Sequence, residues 1–463
     1  MSGADAPVDE EHVVAFLAGE VAPPADAVAR SRLVIEDVVC AAMAGSALPE
    51  LHGAIEALAL PAGPCTVVGC GRVAPVEHAA MANTVLAIAQ EVEEGHNTAG
   101  HVGAASVMAA LAAAEERDAP GAAVVDAVLR AYEVCARVER AVMPMRARVN
   151  AATGWVVRNP HSTWTTVGPA LAAALVWGRD PRTLRATWRL AVNLAVLSLW
   201  DPYAEGALAR NLTAGLSAQA GVTAARWAQA GLQGSADAVA RIFGPLRAAM
   251  GDADFDAWFG SLGTTYEITR GYLKPYPSCR YTHPALDALR AALPATSAVS
   301  ADAVDRIEVH TFGIATLFAH QHAPTPTSAK FSIPFVLAAY LVDGRIGFES
   351  FTDRLHDPRI DALARRITVY ADDGLEAAFP QRWGARVSVV LRDGRVLVGE
   401  CCDPVGGPAV PLAADAVRAL HLAALCQRLP APEAAAILDA LTHLDALASV
   451  RPLGARLRGE GCP

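Results

Sequence analysis

The periodicity of apolar residues changes once along this chain, near residue 270, and that change limits the possible folds more than any other feature. Before it, segments 25–43, 75–90, 104–117, 122–141, 167–177, 182–199 and 216–230 carry apolar residues at helical spacing, with turns marked by Gly, Pro or Asp. These segments are apolar around most of their circumference, a composition that suits helices inside a multilayer assembly. Beyond Pro275 the runs DRIEVHT (305–311), ITVYA (367–371) and RVSVVL (386–391) alternate apolar with polar residues and are rich in Val and Ile, which predicts strands. Helical stretches at 284–292 and 333–341 lie among them, and Asp393–Gly394 between two strand-like runs predicts a tight hairpin. From Pro411 the helical pattern returns, at 413–427 and 432–448. The expected fold is mainly α: a large all-helical domain from 1–269 plus 409–463, and a smaller α+β domain, 270–408, inserted into it. A cleft between two such bodies is a usual place for a small-molecule site.

A chain of 463 residues exceeds what one core usually covers, and 53% hydrophobic with 19% charged residues fits a well-buried globule or an oligomer. No apolar run reaches the ~18–20 residues of a membrane span, and the opening MSGADAPVDEEH is too acidic and polar for a signal peptide. A cytoplasmic protein without membrane association is expected. The net charge of −10 disfavours nucleic acid, whose phosphates need a basic face. Nine cysteines, an odd number with no CxxC pair, disfavour a disulfide framework or a structural zinc site. Of 38 basic residues only Lys274 and Lys330 are lysines. A coding preference accounts for the arginine excess, yet it leaves two positions where a compact, titratable ammonium was kept.

Three segments combine residues able to carry chemistry. The first, EVEEGHNTAGHVG (91–103), sets acids, two histidines and glycines at the start of an apolar helix. It is either an anion site at a helix N-terminus or a polar loop whose acids cap that helix. His96 and His101 are five apart, not the spacing of a helical zinc pair, so no metal is expected. The second, RNPHSTWTTVG (158–168), again places a histidine, His161, before an apolar helix, with hydroxyls that serve equally as N-caps. The third, KPYPSCRYTHP (274–284), holds two cations, a His, a Cys and two tyrosines among three prolines at the proposed domain junction. Such a stiffened loop is either a linker or a support that presents side chains at little entropic cost. No GxSxG, P-loop or dinucleotide fingerprint accompanies them.

In this order the segments resemble the MmgE/PrpD family of 2-methylcitrate dehydratases and cis-aconitate decarboxylases. LVIEDVVCAAMAG (33–45) looks like the family's first long helix, and AAMAN (79–83) through HVG (101–103) like its Asn-Gly…Asp-Phe-Asp-Asp-Thr…His-Pro stretch. KPYPSCRYTHP is close to its Lys-Pro-Tyr-Pro-Cys-Cys-Arg…His-Pro, while AKFSIP (329–334), DGRIG (343–347), 383–394 and GGPAVP (406–411) continue the likeness. The resemblance implies a helical domain with an α+β lid, a homodimer, and no metal or organic cofactor. It implies chemistry on small polycarboxylates: dehydration, decarboxylation or epimerisation, each moving a proton at a carbon next to a carboxylate. By similarity His101, His161, Lys274 and His283 fall on catalytic positions. Glu91, Glu94, Gly95, Arg158, Arg210, Cys279 and Arg280 fall on substrate-binding ones, with Arg280 suited to pair a carboxylate bidentately.

The sequence departs from the family pattern at several of these positions. Glu91, Glu93 and Glu94 stand for shorter aspartates, Gly95 for a Thr, Arg210 for a Lys and Thr213 for a His. The expected activity is a cofactor-independent lyase on a di- or tricarboxylate. The alternatives are an epimerase or isomerase using the same pocket, or a non-catalytic binding or scaffold protein that kept the fold.

Overall fold

The structure, a computed structural model, describes residues 9–153, 164–196, 198, 203–236, 238–250, 259–294 and 299–459. It is mainly helical, with eight described strands in small sheets: β1 (Cys65–Val67), β2 (Arg72–Ala74), β3 (Gly95–His96), β4 (Gly271–Tyr272), β5 (Val304–Thr311), β6 (Ile367–Ala371), β7 (Ala385–Leu391) and β8 (Val396–Cys401).

Two apolar cores form. The larger joins helices Ala25–Ser46, Val76–Ala87, Gly103–Arg117, Gly121–Thr153, Val167–Trp177 and Arg210–Gln229 with the C-terminal helices Ala414–Leu425, Ala431–Thr442 and Arg451–Leu457. The second contains residues between Tyr272 and Leu391, built on the sheet β6-β5-β7-β8 and the helices His283–Ala292 and Ile333–Asp343. In that sheet β5 is parallel to β6 and antiparallel to β7, and β7 and β8 form the hairpin that turns at Gly394, φ 89°. Gly399 is required on β8, because a Cβ there would come within 2.2 Å of the Ala288 carbonyl oxygen on the helix packed across it.

Helical periodicity located the elements but not every end. The expected helix 182–199 stops at Ala191, where the Asn193 side chain donates to the Arg189 carbonyl at 2.8 Å and the chain turns away. Helix 432–448 stops at Thr442 and gives way to a short 3-10 turn. Among the described residues no single helix is long and apolar enough to cross a membrane; Ala25–Ser46 and Pro49–Ala57 combine enough length with enough apolar character only together, and they are bent by 87°.

The C-terminal helices are fastened to the first long helix by His421. Its Nδ1 lies 2.6 Å from Glu36 Oε1 and its Nε2 3.0 Å from Asp37 Oδ1, so both ring nitrogens donate and the ring is an imidazolium. Burial alone would push its pKa down, but the two carboxylates raise it to about 9. A histidine held above its unfolded value stabilises fully below about pH 6.5 and loses that contribution as pH rises through 9. The stability gap between wild type and His421→Gln should therefore be on the order of 2–3 kcal/mol at pH 6 and shrink toward zero above pH 9. Denaturant unfolding of both proteins across that range checks it, and a pH-independent gap would refute the charged clamp.

Candidate active site

The first and third segments meet through a two-residue ladder. Strand β3 pairs antiparallel with β4, Gly95 opposite Tyr272 and His96 opposite Gly271. Continuing that register by two residues sets Lys274 opposite Glu93. Residues about 180 positions apart in sequence thus become neighbours, in the seam between the two cores. A cavity of about 360 Å³ adjoins this seam, lined among others by Asp37, Val92, Lys274, Tyr276, Phe348 and His421.

Glu91 is the centre of a buried charge cluster. One of its carboxylate oxygens accepts from Arg210 Nη1 at 2.8 Å, and the other from Lys274 Nζ at 3.1 Å. Lys274 Nζ also lies 3.4 Å from Glu93 Oε1. Arg210, Glu91, Glu93 and Lys274 are all at most 6% exposed. Glu91 itself adopts a left-handed backbone conformation, φ 56°, which costs about 1–3 kcal/mol in a non-glycine residue and often marks a functional site. Two buried carboxyls that share one ammonium do not both ionise. Burial raises both, but Lys274 and Arg210 pull Glu91 well below the usual carboxylate range, whereas burial and the neighbouring Glu91 charge keep Glu93 well above it. Lys274 would be lowered by burial, yet Glu91 and Glu93 hold it above its ordinary value. At neutral pH the cluster therefore contains an ionised Glu91, a protonated Glu93 and an ammonium on Lys274.

His101 completes this group. Its Nδ1 is 2.8 Å from the Glu94 carbonyl oxygen and 3.2 Å from Glu93 Oε1. A carbonyl only accepts, so the proton sits on Nδ1 and Nε2 is the basic nitrogen. Burial, and then the Lys274 charge, lower the imidazole to about 3, so the ring is neutral at working pH.

The turn that carries His101 is fixed from behind. His96 Nδ1 accepts the N–H groups of Thr98 and Ala99 at 3.2 and 3.1 Å, and Nε2 faces Glu267 Oε2 at 3.1 Å, itself paired with Arg140 at 2.5 Å. Glu94 is spent on the protein: its Oε1 accepts the Gly103 N–H at 3.0 Å, and its Oε2 accepts the Tyr132 hydroxyl at 3.1 Å. The first N–H of the helix after His101 is thus taken by the chain's own carboxyl. A Cβ at Gly103 would lie 2.1 Å from Glu94 Oε1, so a larger residue there would push that carboxyl out of its place.

In the 274–284 loop only Lys274 joins the cluster directly. Arg280 donates to the Val405 and Pro404 carbonyls at 2.6 and 3.0 Å and stacks over Tyr272 at 4.6 Å. His283 accepts from Arg280 on Nδ1 at 3.0 Å and, through Nε2, donates to the Ser278 carbonyl at 3.1 Å. In this arrangement both side chains brace the loop rather than face the acids. The Cys279 N–H donates to the Lys330 carbonyl at 2.9 Å, and burial pushes its thiol up to about 12, which rules out a thiolate at neutral pH. Gly95 faces Tyr272, whose hydroxyl would lie 2.4 Å from any Cβ at position 95. His161 and Arg158 lie outside the described residues.

Four members of the site were not among the expected site residues: Glu93, Gln90, Lys330 and Tyr272. Glu93 was visible inside the acidic motif, and Lys330 as one of two lysines. Gln90 and Tyr272 carry no local signal, because their place depends on the β3–β4 pairing and on contacts across the seam. Among the described residues no group of three or more His, Cys, Asp or Glu is placed to hold a metal ion.

Comparison with known proteins matches residues 17–257 to the MmgE/PrpD N-terminal domain and 276–446 to the MmgE/PrpD C-terminal domain. The chain is also similar to cis-aconitate decarboxylase of Aspergillus terreus, 22% identical over 416 residues, covering 83% of this chain and 82% of that protein. The same protein from strain NIH 2624 / FGSC A1156 gives 22% over 419 residues with the same coverage. The first match contains β3, Glu91 and His101, β4 and Lys274 fall between the two matches, and the chain belongs to the MmgE/PrpD family.

Proposed function

We propose that the chain is a lyase of the dehydratase or decarboxylase type, acting without metal or organic cofactor on a small di- or tricarboxylic acid. The observation that carries this is the buried set of Glu93, Lys274 and His101, three proton-handling groups whose affinities are driven apart within one cluster. His101 Nε2 is the base that takes a proton from the carbon next to a substrate carboxylate, whose negative charge offsets the Lys274 charge and raises the imidazole's proton affinity in the complex. The electron pair left behind is stabilised by the Lys274 ammonium and by Arg210. In a dehydration the carbon–oxygen bond then breaks, and protonated Glu93 or Lys274 gives its proton to the departing hydroxyl, which leaves as water. In a decarboxylation no proton is removed first: the carbon–carbon bond breaks, carbon dioxide leaves, and the same acids protonate the carbanion left behind. Arg280 and His283 act as positioning residues that hold the Lys274 loop. The second core serves as a lid, and the working form is a cytoplasmic homodimer. The similarity to cis-aconitate decarboxylase supports the reaction class.

An epimerase on a dicarboxylate is the second reading, favoured by the presence of both a base and an acid around one seam. Incubation with a panel of polycarboxylates in D2O, followed by NMR, separates the two. A new alkene or loss of carbon dioxide is expected; deuterium uptake without net change would replace the lyase by an isomerase, and no change with any polycarboxylate would sink both. Dialysis against EDTA should leave turnover unchanged, and a chelator-sensitive activity restored by added metal would overturn the cofactor-independent mechanism.

A further inference from the structure

We infer that Lys330 is a carboxylate-binding residue of this site, contributed by the second core, and that it sets a requirement for a doubly charged substrate. The inference rests on the reaction class proposed above and extends it to a residue outside the acidic and KPYP motifs. Lys330 ends the short helix Pro326–Lys330 and is 2% exposed. Its ammonium donates to the side-chain oxygen of Gln90, which adjoins Glu91, and faces the Phe351 ring at 5.8 Å. An amide and a ring are neutral partners for a buried cation, and a buried charge is expected to be paired. Glu91, the acid whose charge acts most strongly on it, already serves Arg210 and Lys274. The Cys279–Lys330 backbone bond and the stacking of Arg210 over Phe331 at 4.9 Å keep the three cations in one region.

The charges gathered here specify the class of ligand. Among the described residues the cluster holds Arg210, Lys274 and Lys330 as cations, with Glu91 as the ionised acid, Glu93 protonated and His101 neutral. The excess is two positive charges, which a dianion cancels and a monoanion does not. Burial lowers Lys330 to about 8, against the opposing pull of Glu91 and Glu93, with Lys274 adding repulsion and Glu50 a weaker attraction. A bound carboxylate beside it would raise that value again.

Because the chain has only two lysines, protein labelled with 13C at lysine Cε should give two resonances, assigned with Lys330→Met. Succinate or malonate should move the titration of the Lys330 resonance up by about one unit or more, while propionate leaves it in place. Lys330→Met should weaken binding of the dianions by about tenfold or more by calorimetry, and Lys330→Arg should restore much of it. Equal responses to succinate and propionate would remove the charge requirement. A Lys330 resonance indifferent to all three acids would reduce the residue to a strut between the two cores. Dianion binding through Lys330 without turnover of any polycarboxylate would defeat the proposed reaction and leave the site standing. Turnover that Lys330→Met leaves unchanged would do the reverse.

Discussion

Lys274→Met should lower turnover by about 10²-fold or more, and Lys274→Arg should fail to restore it. Methionine fills the space of the lysine stem but leaves Glu91 with Arg210 alone and removes the ammonium beside Glu93. Arginine keeps a positive charge, yet its planar fork cannot occupy a buried point between two carboxyls 3.1 and 3.4 Å away. His101→Gln should fall as far, because an amide in place of the imidazole has no basic nitrogen at Nε2. The pH profile separates a role in chemistry from mere loss of packing. With His101 lowered to about 3, wild-type kcat/KM should show no acid limb near 6.5, the pH where an ordinary histidine would charge. Loss of the Lys274 charge removes one cause of that depression, so the residual activity of Lys274→Met should acquire an acid limb displaced upward. On the alkaline side kcat/KM should fall above about pH 8, as Lys330 loses its proton, and that limb should be absent from Lys330→Arg. Steady-state kinetics from pH 4 to 10, with unfolding measured on the same variants, decide the matter. Near-normal turnover of Lys274→Met or His101→Gln would show that the proton transfer is assigned to the wrong residues.

Gly95→Thr, which installs the hydroxyl residue that the family pattern carries, should inactivate rather than improve this protein and cost about 1–3 kcal/mol of stability. A Cβ at position 95 would stand 2.4 Å from the Tyr272 hydroxyl oxygen, 2.6 Å from its ring carbon and 3.0 Å from His101 Cε1. Tyr272 is 2% exposed, lies opposite Gly95 in the β3–β4 ladder and sits under the Arg280 guanidinium, so it has no route of retreat. The ring carbon is itself too close, so Tyr272→Phe should give little relief, while Tyr272→Ala should relieve the clash. The double variant Gly95→Thr/Tyr272→Ala should be more stable than the sum of its parts by about 1 kcal/mol or more. A double-mutant cycle in denaturant measures this coupling, and additive effects would mean that the two positions do not share that space.

The large elements were legible because each is specified locally. Apolar residues every three to four positions in 167–177 permit little but a buried helix, and the observed helix is Val167–Trp177. Alternation in 367–371 and Asp393–Gly394 specified a strand and a hairpin in the same local way, and both formed where expected. The choice of Glu91, His101, Lys274 and Arg210 as site residues came from motif resemblance, and the structure brings those four together.

Which groups face one another, and in which protonation state, was decided only by the tertiary structure. Glu91, Glu93 and Glu94 are alike in sequence, yet one is ionised between two cations, one keeps its proton beside them, and one caps a helix. Arg280 and His283 share a motif with Lys274 but turn to carbonyls of their own loop and of residues 404–405, because the 3-10 turn at Arg280–Thr282 directs them there. Lys330 reaches Gln90 only across the seam. Periodicity is a property of neighbours along the chain, so sequence can determine elements. Proton affinity depends on burial and on charges a few ångströms away, and residues 91, 101, 210, 274 and 330 acquire those neighbours only when the two cores close on each other.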